Sequence, residues 1–155
     1  MKNKTLLILA LTVIALPLIL NAQTRRRSTS TSTNGNGPVA NCGDISVTFD
    51  KRPAITEESE MTIPASQIST LRAQASNNGI YVTGWDRAEY AVKTCKAVSP
   101  DEANAAALLK DITTTNNGGR ISVDGPSGSE WMASLIIMTP RLANLDLQPA
   151  FGRRE

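Results

Sequence analysis

Acidic residues near predicted turns are the side chains of this chain whose type and spacing could do chemistry. Asp86 and Glu89 follow one predicted strand, and Asp124 and Glu130 flank a glycine-containing turn. Two carboxylates at a defined separation, with unequal pKa values, can cleave a glycosidic bond by acid–base chemistry. Acidic residues are also common in turns because water solvates them well there. The pairs therefore leave a secreted carbohydrate-active enzyme as an alternative that we do not favour.

The chain contains no histidine. Imidazole is the commonest general base and the commonest protein ligand of metals, so a Ser-His-Asp triad, a Cys-His nucleophile and an ordinary zinc site are all excluded. The sequence Gly125-Pro126-Ser127-Gly128 superficially resembles a nucleophile elbow, but Ser129 stands where that motif needs glycine. We interpret it as a turn. We therefore expect a protein that is not an enzyme and has no catalytic, cofactor-binding or metal-binding residues.

Cys42 and Cys95 are the two cysteines of the chain. In an exported protein, two cysteines most simply form an intrachain disulfide. Closing the loop from residue 42 to 95 would restrict the unfolded chain and stabilise the fold by roughly 4 kcal/mol at most. Two free thiols or a bridge between two molecules are the alternatives.

Residues 1–22 have the pattern of a secretory signal peptide. Lys2 and Lys4 form a short basic region, an apolar segment follows over residues 5–20, and cleavage is expected between Ala22 and Gln23. The apolar segment is shorter than the ~20 residues that span a bilayer. We therefore predict export to the periplasm, the outer surface or the medium, with no stable membrane span after cleavage. An uncleaved N-terminal anchor is the alternative.

Charge and composition change along the rest of the chain. Residues 23–38 read QTRRRSTSTSTNGNGP, with no aliphatic or aromatic side chain, which predicts a disordered tether. Residues 39–148 contain 9 basic and 13 acidic residues. A nucleic-acid-binding domain would have the opposite sign on its folded part, so we expect no nucleic-acid partner.

Period-two alternation of apolar and polar residues predicts most of the folded part. Ile45, Val47 and Phe49 alternate with polar residues, as in a strand with one buried face. Further short strands are predicted at 61–63, 68–76, 80–85, 90–96, 120–124, 131–138 and 143–147. Asn-Asn-Gly sequences at 77–79 and 116–118 predict turns between strands. The segment 131–138 is apolar on both faces, which suits an interior strand.

One helix is expected, over about residues 100–112. Ser99 as N-cap, Pro100 at the first position and Glu102 at the third resemble a capping box. An apolar stripe should then face the sheet, formed by Ala105, Leu108, Leu109 and Ile112.

The overall prediction is an all-β fold, a single-stranded right-handed β-solenoid over residues 39–148 with this helix inserted and a tail over 149–155. The chain has only two Trp, two Tyr and two Phe, and stacked solenoid rungs can be filled by aliphatic residues alone. A β-sandwich is the alternative. Trp85 and Trp131 are expected in the core or at its rim.

The segment from Ser76 to Asp86, SNNGIYVTGWD, resembles a rung of a bacterial adhesin-like family of domains whose function is unknown. In that family, rungs of the form N-G-x-I-x-V-x-G-W-D stack into a right-handed solenoid, and the resemblance covers about residues 66–147. It implies a non-enzymatic exported scaffold of the envelope or cell surface that adheres to or binds an unidentified surface or envelope ligand. An envelope regulatory partner that uses the Arg25–Arg27 tether is a further alternative.

The family continues past Leu147 with further rungs, so the resemblance also implies a C-terminally truncated array. Leu142, Leu145 and Leu147 should then lie on an incomplete terminal rung and be less buried than Ile121 or Leu135. We expect self-association through this edge.

Overall fold

The computed structural model describes residues 28–75, 78–128 and 130–148, and this part of the chain is mostly β-strand. It contains eleven strands and one α-helix. In chain order they are β1 (Thr29–Thr33), β2 (Ile45–Phe49), β3 (Arg52–Pro53), β4 (Ile55–Pro64), β5 (Thr70–Gln74), β6 (Ile80–Trp85), β7 (Glu89–Val98), α1 (Ala105–Asp111), β8 (Thr113–Asn117), β9 (Arg120–Asp124), β10 (Trp131–Pro140) and β11 (Asn144–Gln148). The expected all-β class is confirmed at this level.

The strands form three sheets, which we name A, B and C. Sheet A has the order β1-β2-β3, sheet B the order β4-β7-β10-β6, and sheet C the order β11-β5-β9-β8. The main core lies between sheets B and C and includes α1, and its buried members are Ile63, Leu71, Ala73, Tyr90, Val92, Val98, Ala105, Leu109, Ile112, Ile121, Val123, Ala133, Leu135 and Ile137. A smaller cluster joins sheet A to the opposite face of sheet B.

Strand β10 has protein on both of its faces. Leu135 and Ile137 belong to the main core, whereas Ile136 belongs to the smaller cluster under sheet A. All three side chains are almost completely buried. This confirms the interior position that the apolar sequence of residues 131–138 predicted.

A disulfide links Cys42 to Cys95, with their Cα atoms 5.3 Å apart. Cys42 immediately precedes β2 and Cys95 lies in β7, so the bond attaches sheet A to an interior strand of sheet B. The predicted pairing is confirmed. Val39, Ile45 and Ile136 are buried around it.

The strand pairing in sheet B is partly parallel and partly antiparallel, so the solenoid stays a prediction beyond the all-β class. Strand β10 pairs in parallel with β6, as stacked rungs do, but it pairs antiparallel with β7, which in turn pairs antiparallel with β4. The cause is the short connection of residues 86–88, which reverses the chain between β6 and β7. Sheets B and C face each other across the main core, a feature that the β-sandwich alternative also has.

The helix begins later than predicted. It runs from Ala105 to Asp111, with Asn104 as N-cap, and not over 100–112. The carboxylate of Glu102 accepts the backbone N–H of Glu130 at 3.0 Å, and the N–H of Ser99 donates to the carbonyl of Glu130 at 3.0 Å. The residues expected to cap the helix therefore bind the loop before β10. The buried stripe of Ala105, Leu109 and Ile112 is as predicted.

Sheet A contains residues that the sequence assigned to a disordered tether. Thr29–Thr33 forms β1 and pairs antiparallel with Ile45–Phe49. The prediction failed because it relied on apolar burial, whereas this strand is held by backbone hydrogen bonds and by threonines, which favour extended backbone. Of its five side chains, only that of Thr31 is partly buried. Residues 29–33 of the predicted tether thus form an edge strand.

Polar groups inside the structure are held by specific partners. The hydroxyls of Thr94 in β7 and Thr114 in β8 are 2.7 Å apart, joining sheets B and C. The Nζ of Lys96, whose side chain is only 8% exposed, donates to Oε1 of Glu57 at 3.0 Å and to the carbonyl of Leu109 at 3.1 Å. Lys96 therefore fastens the end of α1 to strands β4 and β7.

Both tryptophans lie at the rim of the fold, as expected. The indole of Trp131 packs against the main core and donates to the carbonyl of Pro126 at 2.9 Å. It fills the space beside Gly125, where a Cβ atom would come within 2.6 Å of the ring. The indole of Trp85 donates to the carbonyl of Glu89 at 2.8 Å and has the guanidinium of Arg87 over its ring, 4.7 Å from the centroid.

Strand β11 lies at the edge of sheet C and pairs only with β5 among the described strands. Leu145 and Leu147 are half-buried and Leu142 is 98% exposed, whereas Ile121 and Leu135 are fully buried. This order of burial is the predicted one. Self-association through the edge stays a prediction, and residues 149–155 lie outside the described residues.

Replacing both cysteines, as Cys42→Ser with Cys95→Ser, should lower the free energy of unfolding by up to about 4 kcal/mol, because the unfolded chain loses its closed loop. Urea denaturation of both proteins measures the difference. The matched control is the reduced wild type, which should unfold at the same urea concentration as the double variant. An unchanged midpoint after reduction would contradict the stabilising role of the bond.

Asp44 gives a pH-dependent contribution to stability. Its carboxylate accepts the backbone N–H groups of Ala40 and Asn41 at 3.0 and 2.9 Å, and these bonds hold the pKa of Asp44 below its ordinary value of 3.8. A carboxyl whose pKa is lowered by folding stabilises the fold above its unfolded-state pKa, and this stabilisation is lost as the pH falls through the folded-state value.

The difference in free energy of unfolding between wild type and Asp44→Ala should therefore have its full value at pH 6 and become smaller below about pH 4. Thermal unfolding between pH 2 and pH 6 measures it. Asp44→Asn is the matched control, since it keeps an acceptor oxygen but cannot ionise, and its difference from Asp44→Ala should not vary with pH. A constant gap between wild type and Asp44→Ala would show that charge plays no part.

Candidate binding surface

The outer face of sheet C, on the side away from the main core, is a polar surface. Alternate side chains of a strand point to opposite sides of its sheet, so the burial of Leu71, Ala73, Ile121 and Val123 turns the intervening residues outward. We call this surface the polar face. It consists of Arg72, Gln74, Thr113, Thr115, Asn117, Arg120, Ser122, Asp124, Asn144, Asp146 and Gln148.

Strand register aligns these side chains in two rows across all four strands. The first row is Asn117, Arg120, Arg72 and Asp146, in the order β8-β9-β5-β11. The second row, two residues away on each strand, is Thr115, Ser122, Gln74 and Gln148. Neighbouring strands lie about 4.8 Å apart, so each row presents a regularly spaced series of hydrogen-bonding groups.

Two pairs of these side chains are engaged with one another. The Nε of Arg72 lies 3.5 Å from Oδ2 of Asp146, and both side chains are half-exposed. The hydroxyls of Thr115 and Ser122 are 2.9 Å apart. Arg120 sits directly beside Arg72 and forms no ion pair with any described residue. Exposed pairs of this kind add little stability, so the polarity of the face is available to a ligand.

The polar face is nearly flat. A depression among Arg72, Gln74, Arg120 and Asp146 has a volume of only about 10 Å³, roughly the space of one water molecule. Sites for small molecules are usually clefts of about 300 Å³ or more. The geometry therefore suits contact with an extended or flat ligand and does not suit enclosure of a small one.

Of the acidic pairs considered from the sequence, Asp86 and Glu89 lie at sheet B and away from this face, whereas Asp124 belongs to the face. The carboxylate of Asp86 makes a two-bond contact with the guanidinium of Arg141, at 2.6 Å to Nε and 3.4 Å to Nη2. Glu89 lies 3.6 Å from Nη1 of Arg87. Both acids of this pair thus face arginines at the exposed end of sheet B.

The second pair is split between a strand end and a loop. Asp124 ends β9, where it lies opposite Thr113 and is exposed. Glu130 uses its backbone to bind Ser99 and Glu102. The acid–base alternative stays untested by this arrangement.

Neither a metal-binding cluster nor a membrane-spanning helix is present in the described ranges, 28–75, 78–128 and 130–148. They contain no group of three or more Cys, Asp or Glu side chains placed to hold a metal ion. Over the same residues, no helix has the length and apolar character needed to cross a bilayer. The predicted cleavage residues Ala22 and Gln23 lie outside these ranges.

The polar face is not predicted by the sequence. A signal was present, because Arg120-Ile121-Ser122-Val123-Asp124 and Asn144-Leu145-Asp146-Leu147-Gln148 place polar residues at every second position. That alternation predicts one exposed side for each strand. It does not predict which strands are neighbours, so the rows could not be assembled from it.

Comparison with protein-family models, with curated proteins and with solved structures finds no match for this chain.

Asp86→Asn should change the free energy of unfolding by less than about 1 kcal/mol, because the Asp86–Arg141 pair is exposed and screened by solvent. Urea denaturation measures this. The purified protein should also release no reducing sugar from polysaccharides. Release that Asp86→Asn or Glu89→Gln abolishes would contradict our interpretation and establish the enzymatic alternative.

Proposed function

We propose that this protein is an exported, non-enzymatic scaffold of the bacterial envelope or cell surface, which binds its ligand through the polar face. The observation that carries the proposal is the alignment of two rows of exposed hydrogen-bonding side chains across four strands of a flat sheet. A surface of this kind forms many weak hydrogen bonds with a ligand. The regular rows allow these bonds to form at the same time, so that their free energies add.

Export is supported by two independent features. Residues 1–22 have the composition of a signal peptide. The disulfide between Cys42 and Cys95 is of the kind that persists in oxidising compartments outside the cytoplasm.

The resemblance to adhesin-like solenoid domains supports the binding role. Strand β5 pairs in parallel with β9, and β6 pairs in parallel with β10, so the units β5–β6 and β9–β10 are stacked in the manner of two solenoid rungs. We propose that this part of the fold derives from such an array, with β7 and β4 added antiparallel to it.

The chemistry of the polar face favours a polyhydroxylated polymer that bears carboxylates. Amide and hydroxyl side chains such as Gln74, Gln148 and Ser122 can exchange hydrogen bonds with sugar hydroxyls. The guanidinium of Arg120 has no acidic partner among the described residues and matches the geometry of a carboxylate. An acidic polysaccharide fits this combination.

The test compares binding of the disulfide-bonded protein to polygalacturonate and to dextran, which carries no charge, by isothermal titration calorimetry. We expect binding to polygalacturonate that weakens with salt and that falls roughly tenfold in Arg120→Gln, because one charge-assisted contact is lost.

The matched control is Arg87→Gln, which removes one exposed arginine at the far end of sheet B and should leave the affinity unchanged. Equal losses in Arg87→Gln and Arg120→Gln would indicate attraction to the overall charge alone and would contradict the role of the polar face. Absence of binding to both polymers would overturn the proposed ligand class.

A further inference from the structure

A cavity of about 300 Å³ lies between sheet A and the outer face of sheet B. Ile45 and Val47 of β2 line it on one side, and Thr56, Ala97 and Ser134 line it on the other. The Cys42–Cys95 disulfide and Glu58 also border it. It is separate from the polar face, which is on the opposite side of the molecule's core.

The cavity exists because small residues face larger ones across the gap between the sheets. Ala97 and Ser134 are small, Ile45 and Val47 face them across the cavity, and the disulfide attaches sheet A to sheet B. The lining is mixed, because Glu57 and Lys96, which pair with each other, also border the cavity beside its aliphatic side chains and sulfur. Pockets for small ligands combine apolar walls with a few placed polar groups.

Ser134 is one of those polar groups. The residue is only 1% exposed and lines the cavity, and its hydroxyl makes no hydrogen bond to another described residue. The cavity is where a partner for Ser134 can be placed.

Glu58 is the second polar group. It lies in the same row of sheet B as Cys95 and Ser134, one strand further out, and is exposed. The neighbouring acids differ from it, because Glu57 pairs with Lys96 at 3.0 Å and Glu60 with Lys93 at 4.0 Å. Glu58 forms no ion pair with a described residue, which leaves an uncompensated negative charge at the cavity.

We propose that this cavity binds a small organic cation, a primary ammonium group on a short apolar body. The ammonium donates to the carboxylate of Glu58, and a remaining polar group of the ligand, or a water molecule that it orders, bonds to Ser134. The apolar body lies against Ile45, Val47 and Ala97. A volume of about 300 Å³ is at the lower end of the range that pockets for small ligands occupy.

The test uses three probes with one apolar body and three head groups: benzylammonium, benzyl alcohol and benzoate. Each is titrated into the disulfide-bonded, isotopically labelled protein, and the backbone amide shifts of Ala97 and Ser134 are followed by NMR. Benzylammonium should bind in the millimolar range, as ligands of this size do. It should bind at least about tenfold more tightly than benzyl alcohol, because only the cation pairs with Glu58.

Two variants locate the binding groups. Glu58→Gln should weaken benzylammonium binding about tenfold and leave benzyl alcohol binding unchanged. Glu60→Gln is the matched control, since it removes the same charge from the same face of β4 but does not line the cavity, and it should have no effect. Both substitutions are at exposed positions, so both proteins should fold. Val47→Phe fills the cavity and should abolish binding of all three probes.

Several results would overturn the proposal. Equal affinity for the three probes would show that the charge of the head group is not recognised, and shifts that occur elsewhere than around the cavity would show that the probes do not enter it. The same loss in Glu60→Gln as in Glu58→Gln would show attraction to the general charge of β4. No benzylammonium binding below about 50 mM, a concentration far above the expected range, would exclude a site for organic cations.

Discussion

Sheet B is covered by protein on both sides, and the rest of the structure follows from that constraint. Leu135 and Ile137 face the main core while Ile136 faces sheet A, so a loss of either neighbouring layer would expose apolar surface. Sheet A is too small to fold by itself, since β3 has only two residues. The disulfide compensates by attaching the layer covalently to the strand that it must cover.

The middle position of sheet B also explains where the polar groups of the interior lie. Thr94 and Lys96 have partners in sheet C and α1, and these bonds fix how the layers are placed relative to each other. Two groups differ from this pattern. The side-chain nitrogen of Asn78 is buried and has no partner among the described residues, and the hydroxyl of Ser134 faces the cavity beneath sheet A.

The sequence predicted those elements whose burial is one-sided and apolar. Strands β2, β9 and β11, the buried stripe of α1 and the disulfide all follow from alternation, helical spacing or cysteine count. It did not predict β1, β8 or the first half of β4, where Thr29–Thr33, Thr113–Asn117 and residues 55–60 are held by strand pairing and carry few apolar side chains. The polar face depends on strand register, and the cavity depends on which sheets are neighbours. The alternation of apolar and polar residues along the chain predicts neither the register nor the neighbours.

The position of Lys96 makes it an internal reporter of motion. Amine-reactive reagents can attack a lysine only when its nitrogen is accessible and unprotonated, and the nitrogen of Lys96 is enclosed by Glu57 and the end of α1. Lys51 and Lys110 are exposed and provide reference rates within the same molecule. The acylation rate of Lys96 relative to theirs therefore measures how often α1 lifts from the sheet. The mass of the peptide that contains Lys96 reports whether it has been acylated. Its increase with time therefore follows the opening of the contact between α1 and the sheet.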